Sequence, residues 1–194
     1  MKKIQFVLVA LAVLLFPAFK SDHVITVFMI GDSTMSNKPL EGGNQERGWG
    51  HVLGSFFTED VRVENHAMNG RSSKSFINEG RWETVVNKIR PGDYVFIQFG
   101  HNDEKPQPER HTDPGTTFDE NLRKFVRETR AKGGIPVLFN SIVRRNFGVN
   151  PDAVAADENH TQKQDALLEG KTKLDTHGKY LDSPRNVAKE MDVC

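Results

Sequence analysis

The chain has 194 residues, a length that suits one domain, and its 26 basic side chains balance 26 acidic ones. That balance gives no electrostatic case for nucleic acid or an anionic membrane surface as a partner. The one cysteine, Cys194, is the last residue, which excludes a disulfide within the chain and a zinc site built from cysteines.

At the amino terminus, Lys2 and Lys3 precede the uncharged, largely apolar run Ile4 to Phe19. This is the charge order and length of a secretory signal peptide. The run falls short of the roughly 20 residues that span a bilayer comfortably. No cysteine follows it to take a lipid anchor. Residues 1–20 are expected to be a signal peptide and 21–194 the working domain. Its expected location is secreted or periplasmic, with no stable membrane association after cleavage.

Val24 to Ile30 is nearly continuous in apolar residues and rich in β-branched types, so it predicts a strand buried on both faces. The composition turns small and polar at its carboxyl end, in Gly31-Asp32-Ser33-Thr34-Met35. In open α/β sheets that end is where ligands bind. A polar, Gly-rich loop follows from Ser36 to Glu46. In Arg47 to Phe57 the spacing of Trp49, Val52, Leu53, Phe56 and Phe57 predicts a helix with one apolar face. The glycines of that segment permit close approach to the sheet, but Gly48, Gly50 and Gly54 miss the dinucleotide-binding spacing.

Val61 to Asn65 alternates as a short strand and ends in a second polar turn, His66 to Ser73. Phe76 to Ile89 predicts a helix with Trp82, Val85, Val86 and Ile89 inward, stopped by Pro91-Gly92. Asp93 to Phe99 is a third strand and runs into Gly100-His101-Asn102-Asp103. Beyond the Pro-rich, charged segment Glu104 to Gly115, Thr117 and Glu120 have capping-box spacing. They introduce a helix whose buried stripe is Phe118, Leu122, Phe125 and Val126, ended by Gly133-Gly134. Ile135 to Asn140 is a fourth strand, and Pro136 places it at or near an edge. Residues 144–183 are mostly polar without clear period, and Arg185 to Asp192 begins a helix.

Strands alternating with helices imply a doubly wound parallel sheet. Right-handed crossovers bring the first three strand ends onto one rim. That rim collects Ser33, Gly70 and Asn102. Acyl transfer from an ester needs a nucleophile, a base and donors for the oxyanion. The Ser33 hydroxyl can attack, the main-chain N–H groups of Ser33 and Gly70 can donate, and the Asn102 carboxamide donates without carrying charge.

Gly31-Asp32-Ser33, Asn65 with Gly70, and Gly100-His101-Asn102-Asp103 resemble three of the four signature blocks of the SGNH, or GDSL, hydrolases. Ile30 to Met35, Asn69 to Ser73, Glu79 to Trp82, Gln98 to Asp103, Val143 to Arg145 and Asp175 to Tyr180 resemble its rhamnogalacturonan acetylesterase branch. The resemblance implies a three-layer α/β/α sandwich with a parallel flavodoxin-like sheet. It implies removal of acetyl groups from acetylated pectic polysaccharide, with no metal and no organic cofactor. It assigns Ser33 as nucleophile, with Gly70 and Asn102 completing the oxyanion hole. The family's last block, an Asp-x-x-His carrying the base, has no counterpart after the Asp175 to Tyr180 word. The fold is therefore expected to lack its last strand and helix, and the chain alone to be weak or inactive. Asp157 to His160 is the one Asp-x-x-His string, but it precedes that word instead of following it. Two alternatives share the fold: an esterase acting on xylan acetyl groups or a lipid, and a carbohydrate-binding relative that has lost catalysis. Oligomeric state is not legible.

The remaining polar candidates have structural readings beside functional ones. His51 and His66 flank apolar positions and read as packed or capping residues. His101 lies within the third word and can line the site; His177 reads as structural or near the substrate. His23 and His111 read as solvent-facing. Arg71 and Arg81 can contact an acidic sugar or hold a loop through a carboxylate. Trp82 at helical spacing reads as core.

Overall fold

The computed structural model describes residues 24–143, 147–148, 172–173 and 177–194. The expected signal peptide, His23, the Asp157 to His160 string, Arg144-Arg145 and Asp175-Thr176 lie outside the described residues. Four parallel strands form the main sheet: β1 (Ile25–Gly31), β2 (Val61–Asn65), β3 (Tyr94–Gln98) and β4 (Ile135–Phe139), in the order β2-β1-β3-β4. All four fall where the apolar runs and the alternation of Val61 to Asn65 predict them. The helices are α1 (Ser73–Asn78), α2 (Arg81–Val86), α3 (Thr117–Ala131) and α4 (Asp182–Met191). A short antiparallel pair, β5 (Phe147–Gly148) with β6 (Thr172–Lys173), stands apart from the sheet. No helix among the described residues is long and apolar enough to cross a membrane.

β1 is the hinge of the topology. The chain steps from it to β2 on one side, then crosses back over it to β3 on the other. That reversal opens a crevice between the carboxyl ends of β1 and β3, the place where such sheets bind ligands. Because side chains alternate along a strand, β1 divides its apolar set between two cores. Phe28 and Ile30 join Phe76, Trp82, Val85, Phe118, Leu122, Phe125 and Val187 under the helices. Val27 and Met29 face the other way, with Met35, Ala67, Trp49 and Leu53.

The first core contains Phe118, Leu122 and Phe125 of the stripe predicted for α3, and all four of its residues, Val126 included, are fully buried. The rings of Phe125 and Trp82 meet edge to face at 5.0 Å, and Phe125 stacks on Phe99 at 5.5 Å. Trp82 is core, with its indole N–H donated to Glu128.

Three local predictions are corrected. The helix expected over Arg47 to Phe57 is instead two 3-10 turns, Trp49–His51 and Leu53–Phe56. Its apolar residues do not share a buried face, since Val52 is 46 % and Phe56 78 % exposed. The glycines oppose a helix, and Gly50 lies so close to Met29, Met35 and Asn65 that a Cβ there would sit 2.6–2.7 Å from them. The helix expected over Phe76 to Ile89 is broken into α1 and α2 at Glu79-Gly80. Trp82, Val85 and Ile89 still point inward. The Thr117/Glu120 capping box does not form. Thr117 is already the first helical residue, and its hydroxyl accepts from the Asp113 N–H at 2.7 Å. A capping box forms instead at α1, where Ser72 and Ser75 bond reciprocally.

Pro136 is on an edge strand, as predicted: among the described residues β4 pairs with β3 alone in the sheet. Ile135 N–H donates inward to Asp93, and Leu138 N–H donates outward to the Cys194 carbonyl at 2.7 Å. Successive N–H groups on a strand point to opposite sides, so the nitrogen of Pro136 faces away from β3.

Candidate active site

The site is built from three loops at the carboxyl ends of β1, β2 and β3. In the first, Asp32 is buried and its Oδ1 accepts from the Thr34 N–H and hydroxyl, both at 2.9 Å. This local turn leaves Ser33 half-buried on the rim, two residues beyond β1. Trp49 pins the turn from outside. Its N–H donates to the Thr34 carbonyl at 2.9 Å and its indole to Gln98 Oε1 at 2.7 Å.

The second loop is tied to the first. Met68 N–H donates to Gly31 at 2.9 Å, and Asn65 Nδ2 donates to the Met35 carbonyl at 2.9 Å. The Ser36 hydroxyl reaches the Ser33 carbonyl and the Asn69 side chain. Gly70 has φ +76°, a conformation that costs an L-residue strain, and an added Cβ would find nothing within 4 Å. The space beside its main chain is therefore open.

The third loop is tied to the second. Asn102, 7 % exposed, donates one Nδ2–H to the Arg71 carbonyl at 3.1 Å and accepts on Oδ1 from Arg110 at 3.4 Å. These two bonds fix which end of the carboxamide is which, and the second N–H of Nδ2 is not needed by Arg71. Beside it, the fully buried Asp103 accepts from the Gly100 and Ser73 N–H groups at 3.1 Å and from the Ser73 and Thr112 hydroxyls. Burial pushes the Asp103 carboxyl up to about 6, against the hydrogen bonds from Ser73 and Thr112; the nearby charge of Asp32 pushes the same way as burial. Tyr180 donates its hydroxyl to the Thr112 carbonyl, and burial with the Asp103 charge pushes it up to about 12.

Ser33, Gly70 and Asn102 thus sit on three adjacent, cross-linked loops of one rim. The described histidines have other work. His51 accepts from the Lys38 N–H, His66 lies against Glu64, and His101 bonds the Ile142 carbonyl at 2.7 Å. His177 is buried, 2.9 Å from Glu104 and 3.0 Å from the Ile142 carbonyl, a structural position. His111, read as solvent-facing, is half-buried and bonds Lys105 and Asp113. No histidine nitrogen bonds the Ser33 hydroxyl among the described residues. Arg71 and Arg81 both hold Glu79, the loop-holding reading. No group of three His, Cys, Asp or Glu side chains suited to a metal ion occurs among the described residues. Sequence reasoning missed Asp103 and Arg110 as site builders. The signal for Asp103 was its adjacency to Asn102 at a strand end; Arg110 has none, being eight residues away in a charged loop.

The family model described as GDSL-like Lipase/Acylhydrolase matches residues 29–191. The chain belongs to this family. Among GDSL-like relatives, it is 41 % identical over 169 residues to the rhamnogalacturonan acetylesterase RhgT of Bacillus subtilis, covering 87 % of this chain and 62 % of that protein. It is 37 % identical over 78 residues to a rhamnogalacturonan acetylesterase of Emericella nidulans, covering 40 % of this chain and 28 % of that one. The chain therefore spans about three fifths of the length of RhgT. Among solved GDSL-like structures, that of YxiM from Bacillus subtilis matches with a TM-score of 0.66 at 24 % identity, over 87 % of this chain and 42 % of that one. The esterase EstA from Pseudoalteromonas, in a structure inhibited by monoethylphosphonate, matches with a TM-score of 0.54 at 16 % identity, over 87 % and 74 %. These two likenesses establish the shared α/β fold.

Proposed function

We propose that the chain is the serine-esterase part of an exported carbohydrate acetylesterase acting on acetylated pectic polysaccharide. Ser33 Oγ attacks the acetyl carbonyl. The negative charge that develops on the carbonyl oxygen is received by the N–H groups of Ser33 and Gly70 and by the free N–H of Asn102. Collapse breaks the bond from the acetyl carbon to the sugar oxygen, which takes up the proton Ser33 gave up; water then adds to the acetyl-serine, releasing acetate and returning a proton to Ser33. Each donor of this kind contributes about 2.7–4 kcal/mol of transition-state stabilisation. No metal or organic cofactor takes part.

The observation that carries this reading is the cross-linking of the three strand-end loops, through Asn65 to Met35, Ser36 to Asn69 and Asn102 to Arg71. It leaves an open space beside Gly70 and, among the described residues, one carboxamide N–H of Asn102 without an acceptor. The similarity to rhamnogalacturonan acetylesterases supports the choice of ester. The basic residues Lys2 and Lys3 before the apolar run support export.

The proton leaving Ser33 needs a base, and none of the described histidines bonds that hydroxyl. A serine without its base is a poor nucleophile at neutral pH. The 194-residue chain alone is therefore expected to turn over slowly. The test is acetate release from acetylated rhamnogalacturonan by the purified chain and by Ser33→Ala. Slow release that Ser33→Ala abolishes supports the reading. Release near the common enzyme rate of about 10 per second that is lost in Ser33→Ala keeps the esterase and refutes its weakness. Release equal in both proteins removes Ser33 as nucleophile. That no described histidine bonds the Ser33 hydroxyl favours one second reading, a binding protein without catalysis. It predicts retained binding of pectin fragments with no reaction of Ser33 towards a fluorophosphonate.

A further inference from the structure

We propose that Asp103 is a positioning residue for the Asn102 carboxamide, fastening the third loop to the second so that the Asn102 and Gly70 donors keep one spacing. The inference rests on the reading of those two residues as oxyanion donors.

Two neighbouring residues of the third loop grip the same short stretch of the second. Asn102 holds the Arg71 carbonyl, and Asp103 holds the Ser73 N–H and hydroxyl two residues further on. The carboxylate also gathers the Gly100 N–H, closing the turn that leaves β3, and the Thr112 hydroxyl from the segment leading to α3. Its donors thus come from three separate stretches of chain. No Lys, Arg or His side chain pairs with it among the described residues, so its charge is spent on orienting hydroxyl and main-chain donors. Gly70 lies three residues before Ser73, and Asn102 directly precedes Asp103. A shift at Asp103 is therefore passed to both donors at once.

A carboxylate suits the place because both of its oxygens accept. In Asp103→Asn one end becomes an NH₂ that faces the N–H groups of Gly100 or Ser73, and the loops must part to relieve it. A displacement of about 1 Å in such a site can cost about 100-fold in rate. Asp103→Asn is expected to lower kcat about 10- to 100-fold with KM changed less than about twofold, because a donor to the transition state moves while substrate contacts remain.

Two measurements decide it. In ¹H–¹⁵N spectra of the 194-residue protein, the Asn102 side-chain amide is identified by its loss in Asn102→Ala. Asp103→Asn is expected to displace that pair of signals, and the milder Ser73→Ala to displace it less in the same direction. Ser73→Ala serves alone if Asp103→Asn does not fold. An Asn102 amide unmoved in a folded variant overturns the proposal, whatever the catalytic activity. The second measurement is a double-mutant cycle on kcat. If Asp103 acts through Asn102, Asp103→Asn costs clearly less once Asn102 is already alanine, the loss that remains being the part passed through Gly70. A full additive loss marks a merely structural role and overturns the proposal. Turnover unaffected by Ser33→Ala would defeat the esterase reading, while the amide signals still judge the positioning role.

Discussion

Replacing Gly70 with alanine separates backbone strain from site occupancy. The residue has φ +76°, where an L-residue pays about 1–2 kcal/mol. No steric cost is added, because the new methyl meets nothing within 4 Å. The expected loss of stability is therefore about 1–2 kcal/mol, or roughly 2–8 °C in Tm for a domain of this size. Chemical denaturation of both proteins, monitored by far-UV circular dichroism, measures it. The effect on catalysis should be larger than strain accounts for, since the methyl enters the space where the acetyl oxygen is proposed to bind. Acetate release should fall at least about 100-fold, as for loss of an oxyanion donor. Two results refute this reasoning. A stability loss well above about 4 kcal/mol would mean that the space beside Gly70 is filled. Unchanged acetate release, with the strain cost present, would mean that substrate does not approach there.

Three further outcomes are expected. Phe125→Ala removes a fully buried ring that packs on both Trp82 and Phe99, and should cost about 3–5 kcal/mol in denaturant unfolding. Ser72→Ala removes the capping-box hydroxyl of α1 and should cost about 1 kcal/mol, with a rise in hydrogen exchange confined to the start of that helix. Asp103, held at about 6 in the folded chain against 3.8 for an ordinary aspartate, keeps its proton between those values while the unfolded chain loses it. Its contribution is thus fully present below about pH 4 and is lost as pH rises through about 6. The stability difference between wild type and Asp103→Asn should therefore shift by about 2 kcal/mol in favour of the variant from pH 4 to pH 7. Equilibrium unfolding at the two pH values measures it, and a constant difference contradicts the assignment.

Much of this could be read before any coordinates. The four strands were legible because β1, β3 and β4 are short, largely apolar runs closed by Gly or Asn, while β2 alternates apolar and charged residues before Asn65. The stripe of α3 was legible because its four apolar residues keep helical spacing without a breaker. The 3-10 turns were not, because Trp49, Val52, Leu53 and Phe56 also keep helical spacing. What decides against a helix is the contact of Gly50 with Met29 and Asn65, residues that the chain brings there only after folding. The rim was legible for Ser33, Gly70 and Asn102, since each follows a predicted strand. Asp103 was not, because its meaning lies in Ser73, thirty residues earlier, and in Thr112.

The proline of β4 has a consequence for how the molecule meets its own copies. A bare strand edge normally offers a row of donors on which another chain can crystallise a ladder. Here the row is interrupted at Pro136, and its neighbour Leu138 is already engaged by Cys194. An incoming strand would find carbonyls without the matching donors and gain little from lying alongside. Among the described residues, Pro136 thus leaves this edge short of the donors another chain would need.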